Sequence, residues 1–225
     1  MTDADFQLVN VDPEEIEELL KKVEKSFNIR FEGMELAHLS TFGELCDHIA
    51  NKIPLDDVGD CTTQQAFYKL RESMGVALNY RASELMPETE LEVAFPRHNR
   101  ISQIRQLEKH LGLKLDILRS KYVVSGALAI IILVSIVALF INWEIGLLGL
   151  VVFSIGLWVA SKTGRELDLK TVGQVAEKMS RENYLKSRRN SNTFSKQEIE
   201  KVLKDWFSDE FGIETSKLGR DAKLF

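Results

Sequence analysis

The chain has 225 residues, 34 acidic against 29 basic, for a net charge of −5. With no basic stripe interleaved with aromatics, this balance excludes the electrostatic footprint of a nucleic-acid binder. Two cysteines, Cys46 and Cys61, are too few for a disulfide scaffold, and no disulfide is expected.

Residues 1–11 belong to an acidic start without the long apolar run of a signal peptide. Asp12, Pro13, Glu14 and Glu15, with Lys21, Lys22 and Lys25 further on, predict a helix capped by Asp12 with Pro13 at its first position. Its apolar face carries Ile16, Leu19, Leu20 and Val23. Thr41 is placed to open a second helix, and Thr62–Met74 reads as a third. Next comes a basic approach containing Arg100, Arg105, Lys109, Lys114, Arg119 and Lys121. Tyr122 to Ile141 then holds twenty residues without a charge, and Ile145 to Ala160 is a second apolar run after Asn142-Trp143-Glu144. At 1.5 Å per residue, about twenty apolar residues cross a bilayer, and Trp143 and Ser161 extend the second run to a workable span. Thr171 is placed to open a further helix. Lys196–Phe211 carries Ile199, Val202, Leu203, Trp206 and Phe207 at the spacing of one buried face. No long alternating run of β-branched residues appears, so the soluble parts read as all-α.

Lys162, Arg165, Lys170, Lys178 and Arg181 follow the second run, while the turn at Asn142–Glu144 has no Lys or Arg. Positive flanks stay inside, which predicts both termini cytoplasmic in an integral (inner or plasma) membrane protein. Tyr122, Trp143 and Trp158 lie near span ends. The flanks and the stretch Lys186-Ser187-Arg188-Arg189 form a basic collar of the kind that touches anionic headgroups.

The chain repeats itself. Val23–Ile29 is similar to Leu107–Leu113, Thr41–Ile49 to Thr171–Met179, and Leu85–Leu91 to Leu218–Leu224. With helix plus loop as "a", the helix ending in the Val23-like segment as "b" and the Thr-x-Gly helix as "c", the order is b-c, a-b-c, a. One small helical unit is present twice, with the hairpin inserted into the second copy.

An a-b-c unit of this size resembles the acyl carrier protein family. Ile199–Phe225 (IEKVLKDWFSDEFGIETSKLGRDAKLF) is similar to its first helix and following loop. Asp12–Phe27 with Asn28-Ile29-Arg30-Phe31 is similar to the second helix, and Thr41–Ile49 (TFGELCDHI) to the last. Thr62–Leu113 and Thr171–Met179 make a more divergent copy. The resemblance implies an attachment serine for 4′-phosphopantetheine in an Asp-Ser-Leu tripeptide opening helix b. Here that serine position is Pro13 in Asp12-Pro13-Glu14 and Arg97 in Pro96-Arg97-His98. Neither side chain forms the phosphodiester, so no cofactor is expected.

The expected architecture is therefore all-α, two acyl-carrier-like bundles plus a two-helix transmembrane hairpin. Residues 1–58 are the second part of a permuted unit, 59–120 the first part of a second unit, and 121–161 the hairpin. Residues 162–190 are the last helix of the second unit with a linker, and 191–225 the helix completing the first unit. Both end-pieces expose apolar faces, so residues 195–225 are expected to dock onto residues 12–53; the alternative is docking onto another subunit, a swapped homo-oligomer. Cys46, His48, His38 and Cys61 lack zinc-site spacing and read as a semi-buried thiol and a surface imidazole. His98 and His110 have no nucleophile nearby, and Glu144 reads as a solvated turn residue. Gly156-x-x-x-Ala160 and Ser125-x-x-x-Ala129 give small-residue faces for packing within the hairpin. No catalytic or metal residue is expected. The functional expectation is a non-enzymatic, membrane-anchored scaffold in contact with the lipid bilayer. It would recruit a soluble protein, an enzyme of acyl-chain or lipid metabolism, and no nucleic acid. The alternative is a membrane-bound acyl carrier modified at an unrecognised serine, with Ser26, Ser102 and Ser120 as candidates.

Overall fold

Asp12 accepts a hydrogen bond from the Glu14 N–H at 3.0 Å and opens helix α1, Pro13–Phe27, with Pro13 in the first turn. The Asp supplies an acceptor and the Pro a preset φ, as the sequence predicts. This computed structural model describes residues 12–33, 35–120 and 122–224. The acidic start before Asp12 and the side chain of Ser125 lie outside the described residues. After α1 come α2 (Phe42–Lys52), β1 (Asp56–Asp57), α3 (Thr62–Leu78), α4 (Leu91–Ala94), α5 (Arg100–Leu111) and β2 (Leu118–Arg119). They are followed by α6 (Tyr122–Ile141), α7 (Trp143–Thr163), β3 (Glu166–Leu167), α8 (Val172–Glu182), α9 (Tyr184–Ser187), β4 (Thr193–Phe194) and α10 (Lys196–Phe211). The chain is mostly helical. The strands are two residues each, β1 pairing with β4 in parallel and β2 with β3 antiparallel.

Two compact units form, one from residues up to Glu72 together with Ala176–Phe225, the other from Ser73–Val175. In the first, α10 packs against α1 and α2. Leu19, Val23 and Phe27 share a core with Phe42, Leu45 and Ile49, and with Leu203, Trp206, Phe207 and Leu224. Phe27 meets the edge of Trp206 with ring centroids 6.3 Å apart, and Phe42 meets Phe207 at 5.4 Å. The C-terminal helix thus sits on the N-terminal pair within one chain.

The similar segments make the same hydrogen bonds. In the first unit Thr41 bridges Lys223, the Phe42 N–H donates to Ala222 O (2.8 Å), Gly43 to Arg220 O (2.8 Å), and Leu224 to Ser40 O (3.0 Å). In the second, Thr171 bridges Glu90, Val172 donates to Thr89 O (2.9 Å), Gly173 to Pro87 O (2.8 Å), and Leu91 to Lys170 O (2.8 Å). The caps match as well. Thr41 Oγ1 accepts from Glu44 and the Glu44 carboxylate from Thr41, and Thr171 and Gln174 do the same. Asn28 and Gly112 both end their helices left-handed, at φ 52° and 68°. Just beyond, the Glu24 side chain accepts from the Phe31 N–H, and the Glu108 side chain from Leu115.

Two boundaries differ from the expected segments. The start of α3 and the end of α8, read as parts of the second unit, group with the first. Thr62, the first residue of α3, is bound through its N–H to the Glu198 carboxylate of α10 at 2.7 Å. Toward the end of α8, Met179 O accepts from the buried Ser187 hydroxyl at 2.8 Å.

Helices α6 and α7 run antiparallel, joined at Asn142, whose side chain caps α7 through the Glu144 N–H at 3.0 Å. The glycines of α7 face larger side chains of α6: Gly146 meets Leu139, Gly149 meets Ser135, and Gly156 meets Leu128. A small-on-small contact through Ala129 was expected; Ala129 is exposed instead. Small residues do meet at Gly149 and Ser135, while Leu128 and Leu139 fill the space against Gly156 and Gly146. Among the described residues one helix, over Trp143–Ala160, is by length and composition long and apolar enough to cross a membrane; the apolar stretch of α6, Gly126–Ile141, is shorter.

Candidate functional site

Helix α1 spends Asp12 on its own cap, and Pro13, at the expected serine position, has no hydroxyl. In the second copy the helix starts later, at Arg100, and Arg97 lies in the turn before it. Arg97 Nη2 pairs with Glu166 Oε1 at 2.6 Å. Neither position presents a nucleophile. Ser26 is buried, donating to Arg181 O (2.5 Å) and accepting from the Tyr184 N–H (3.0 Å). Ser120 donates to Ala160 O at 2.7 Å, and Ser102 is exposed on α5.

The Cys and His group is spread out. Cys46 is buried rather than semi-buried, and burial pushes its thiol up to about 12, far from a reactive thiolate. Cys61 is exposed. His48 is half-buried, not a surface residue, and contacts Glu35 Oε1 at 2.8 Å. Lys52 Nζ donates to the same carboxylate at 2.6 and 2.9 Å. The Lys52 ammonium, then the Glu32 backbone N–H, hold the Glu35 carboxyl down to about 2. Among the described residues no group of three or more His, Cys, Asp or Glu is arranged to hold a metal ion. His98 and His110 are exposed, as is Glu144.

The most elaborate polar arrangement lies around Arg188. The sequence places this residue in the basic collar; its side chain is fully buried. It donates to Thr62 Oγ1 at 2.6 Å, Val58 O at 3.1 Å, Asp60 O at 3.2 Å and Thr193 Oγ1 at 3.2 Å. Glu198 Oε2 lies 3.4 Å away and supplies the counter-charge. Glu198 also accepts from the Tyr184 hydroxyl at 2.8 Å and from both the N–H and hydroxyl of Thr62. Burial pushes the Tyr184 phenol up to about 12, and the adjacent Glu198 charge adds to this. The phenol therefore stays a donor. These partners of Arg188 and Glu198 are all internal to the fold. The cluster ties the linker after α8 to α10 and to the start of α3. Sequence reading missed it because its members come from four separate segments. The one local signal is Tyr184 four residues before Arg188, at the start of the short helix that Arg188 follows, where a ring and a guanidinium meet at 5.7 Å.

Beside it opens a cleft of about 480 Å3 lined by Lys25, Asn28, Leu55, Asn183, Lys186 and Asn192 among others, with no carboxylate in its lining. A separate apolar cavity of about 40 Å3 lies among Ile16, Leu20, Leu39, Leu45 and Phe207. No protein-family model, curated protein or solved structure matches this chain.

Proposed function

We propose that the chain is a non-enzymatic, membrane-anchored interaction protein. Its two acyl-carrier-like helical units are carried on the cytoplasmic face by α6 and α7 acting as a transmembrane hairpin. They recruit a soluble partner, an enzyme of acyl-chain or lipid metabolism being the kind that such a surface engages. One observation carries the anchor: α6 and α7 leave most of their large apolar side chains exposed. Ile130, Leu133, Val137 and Leu148 are exposed, and Phe140 is 88% exposed. A patch this large is not stable in water. Neither apolar run contains Asp, Glu, Lys, Arg or His, which favours an anchor over a transport path.

The carrier-like reading is supported by the repeated Thr-x-Gly hydrogen bonding and by the helix order. The missing serine at Pro13 and Arg97 supports recruitment rather than acyl carriage. Two experiments test this. Alkaline carbonate extraction of membranes is expected to leave the chain in the pellet, and release would remove the anchor. The intact mass after co-expression with a broad-range phosphopantetheinyl transferase is expected to be unchanged. A gain of one phosphopantetheine would make the chain a carrier, and the exposed Ser102 would be the first serine to map.

A further inference from the structure

We propose that the foot of the hairpin holds the phosphate of an anionic phospholipid headgroup, an inference that rests on the transmembrane reading of α6 and α7. A cleft of about 170 Å3 opens there, lined by Arg97, Ser120, Val124, Ala160, Gly164, Arg165 and Glu166. Its lining is mixed. Among the described residues two guanidiniums and a single carboxylate line it, alongside Val124 and Ala160 of the two hairpin helices. A phosphodiester with an acyl chain attached matches both parts, the anion to the guanidiniums and the hydrocarbon to the helices. Free phosphate offers nothing to the apolar lining.

The walls are fixed before any ligand arrives. β2 pairs with β3, Arg119 opposite Glu166, and holds one side. Gly164 is pressed against the Arg119 carbonyl so closely that a methyl group there would lie 2.7 Å from it. Arg100, with only 3% of its side chain exposed, clamps the backbone. It donates to Arg165 O at 2.5 Å and to Phe95 O at 2.8 Å. The backbone of Arg165 is thus held in place, while no carboxylate among the described residues pairs with its guanidinium. Arg97 engages Glu166 through one nitrogen and keeps other N–H groups for an oxyanion. Glu166 limits the site to a singly charged phosphodiester.

The test uses the full chain in detergent, titrated with phosphatidylglycerol or phosphatidylcholine and read as retained lipid by native mass spectrometry. Arg165→Gln is expected to lower phosphatidylglycerol retention about fivefold and to leave phosphatidylcholine unchanged. Arg165→Lys, which keeps the charge, is expected to keep most of the retention, and Glu166→Gln to raise it. Millimolar inorganic phosphate is expected not to compete. Equal retention in wild type and Arg165→Gln overturns the site, and displacement by inorganic phosphate overturns its assignment to a lipid. Carbonate extraction of the wild type separates this inference from the one it rests on. Release from membranes removes both, whereas a pelleted chain with unselective lipid retention removes this one alone.

Discussion

Arg188 and Glu198 show what a buried charge does when all its neighbours are acceptors. Taking one partner from such a pair leaves the other charge desolvated, which costs about 3–5 kcal/mol. Glu198 keeps 20% of its side chain exposed, so Arg188→Ala is expected near the lower end, a loss of about 3 kcal/mol. Urea unfolding of the full chain in detergent measures it, and an unmoved midpoint would mean that the cluster contributes nothing to stability. Glu35 carries a pH dependence. Its folded-state value of about 2 lies below the ordinary 4.5, because the carboxylate is held by Lys52, the Glu32 N–H and His48. Stabilisation from a depressed carboxyl is complete above pH 4.5 and is lost as pH falls toward 2. Glu35→Gln is therefore expected to flatten the fall in melting temperature over that window. Parallel melting curves for wild type and variant at pH 5, 4, 3 and 2 check this, and identical slopes would discount the interaction.

At the scale of elements, the Thr-x-Gly helices explain their own glycines. A methyl group on Gly43 would lie 2.8 Å from Arg220 O, and one on Gly173 would lie 2.9 Å from Pro87 O. Both obstacles are backbone atoms, which do not swing aside. Gly43→Ala and Gly173→Ala are each expected to destabilise by about 1–3 kcal/mol, read as faster amide exchange at Phe42 and Val172, the neighbouring donors. This equivalence was legible in the sequence as a shared Thr-x-Gly, and so were the Asp12 cap and the apolar hairpin helices, because each rests on neighbours a few residues apart. The Arg188 cluster was not. In a one-dimensional reading Lys186-Ser187-Arg188-Arg189 is a run of charge, and nothing local says that Val58, Asp60 and Glu198 converge on the third member. Nor was the β1–β4 pairing legible, since two residues carry no alternation. In the hairpin the α7 glycines do face α6, but Leu128, Ser135 and Leu139 meet them and Ala129 is exposed.

For the whole molecule, the notable fact is that the first unit is assembled from both ends of the described chain. Trp206, Phe207 and Leu203 of α10 lie in one core with Phe27 and Phe42. Removing residues 195–225 is expected to leave α1 and α2 without cover, so that residues 12–53 are cleaved rapidly in limited proteolysis while α6 and α7 stay intact. Unchanged resistance of 12–53 would show that the N-terminal helices find another partner. The same connectivity sets a schedule on synthesis. α1 and α2 emerge about 150 residues before the tryptophan that completes their core, a delay of roughly 8–30 s at about 5–20 residues per second. The part of this unit made first is thus the part that waits. Throughout that interval the newborn chain displays Leu19, Val23 and Phe42 to whatever holdase is nearest, and the unit closes only once α10 has emerged.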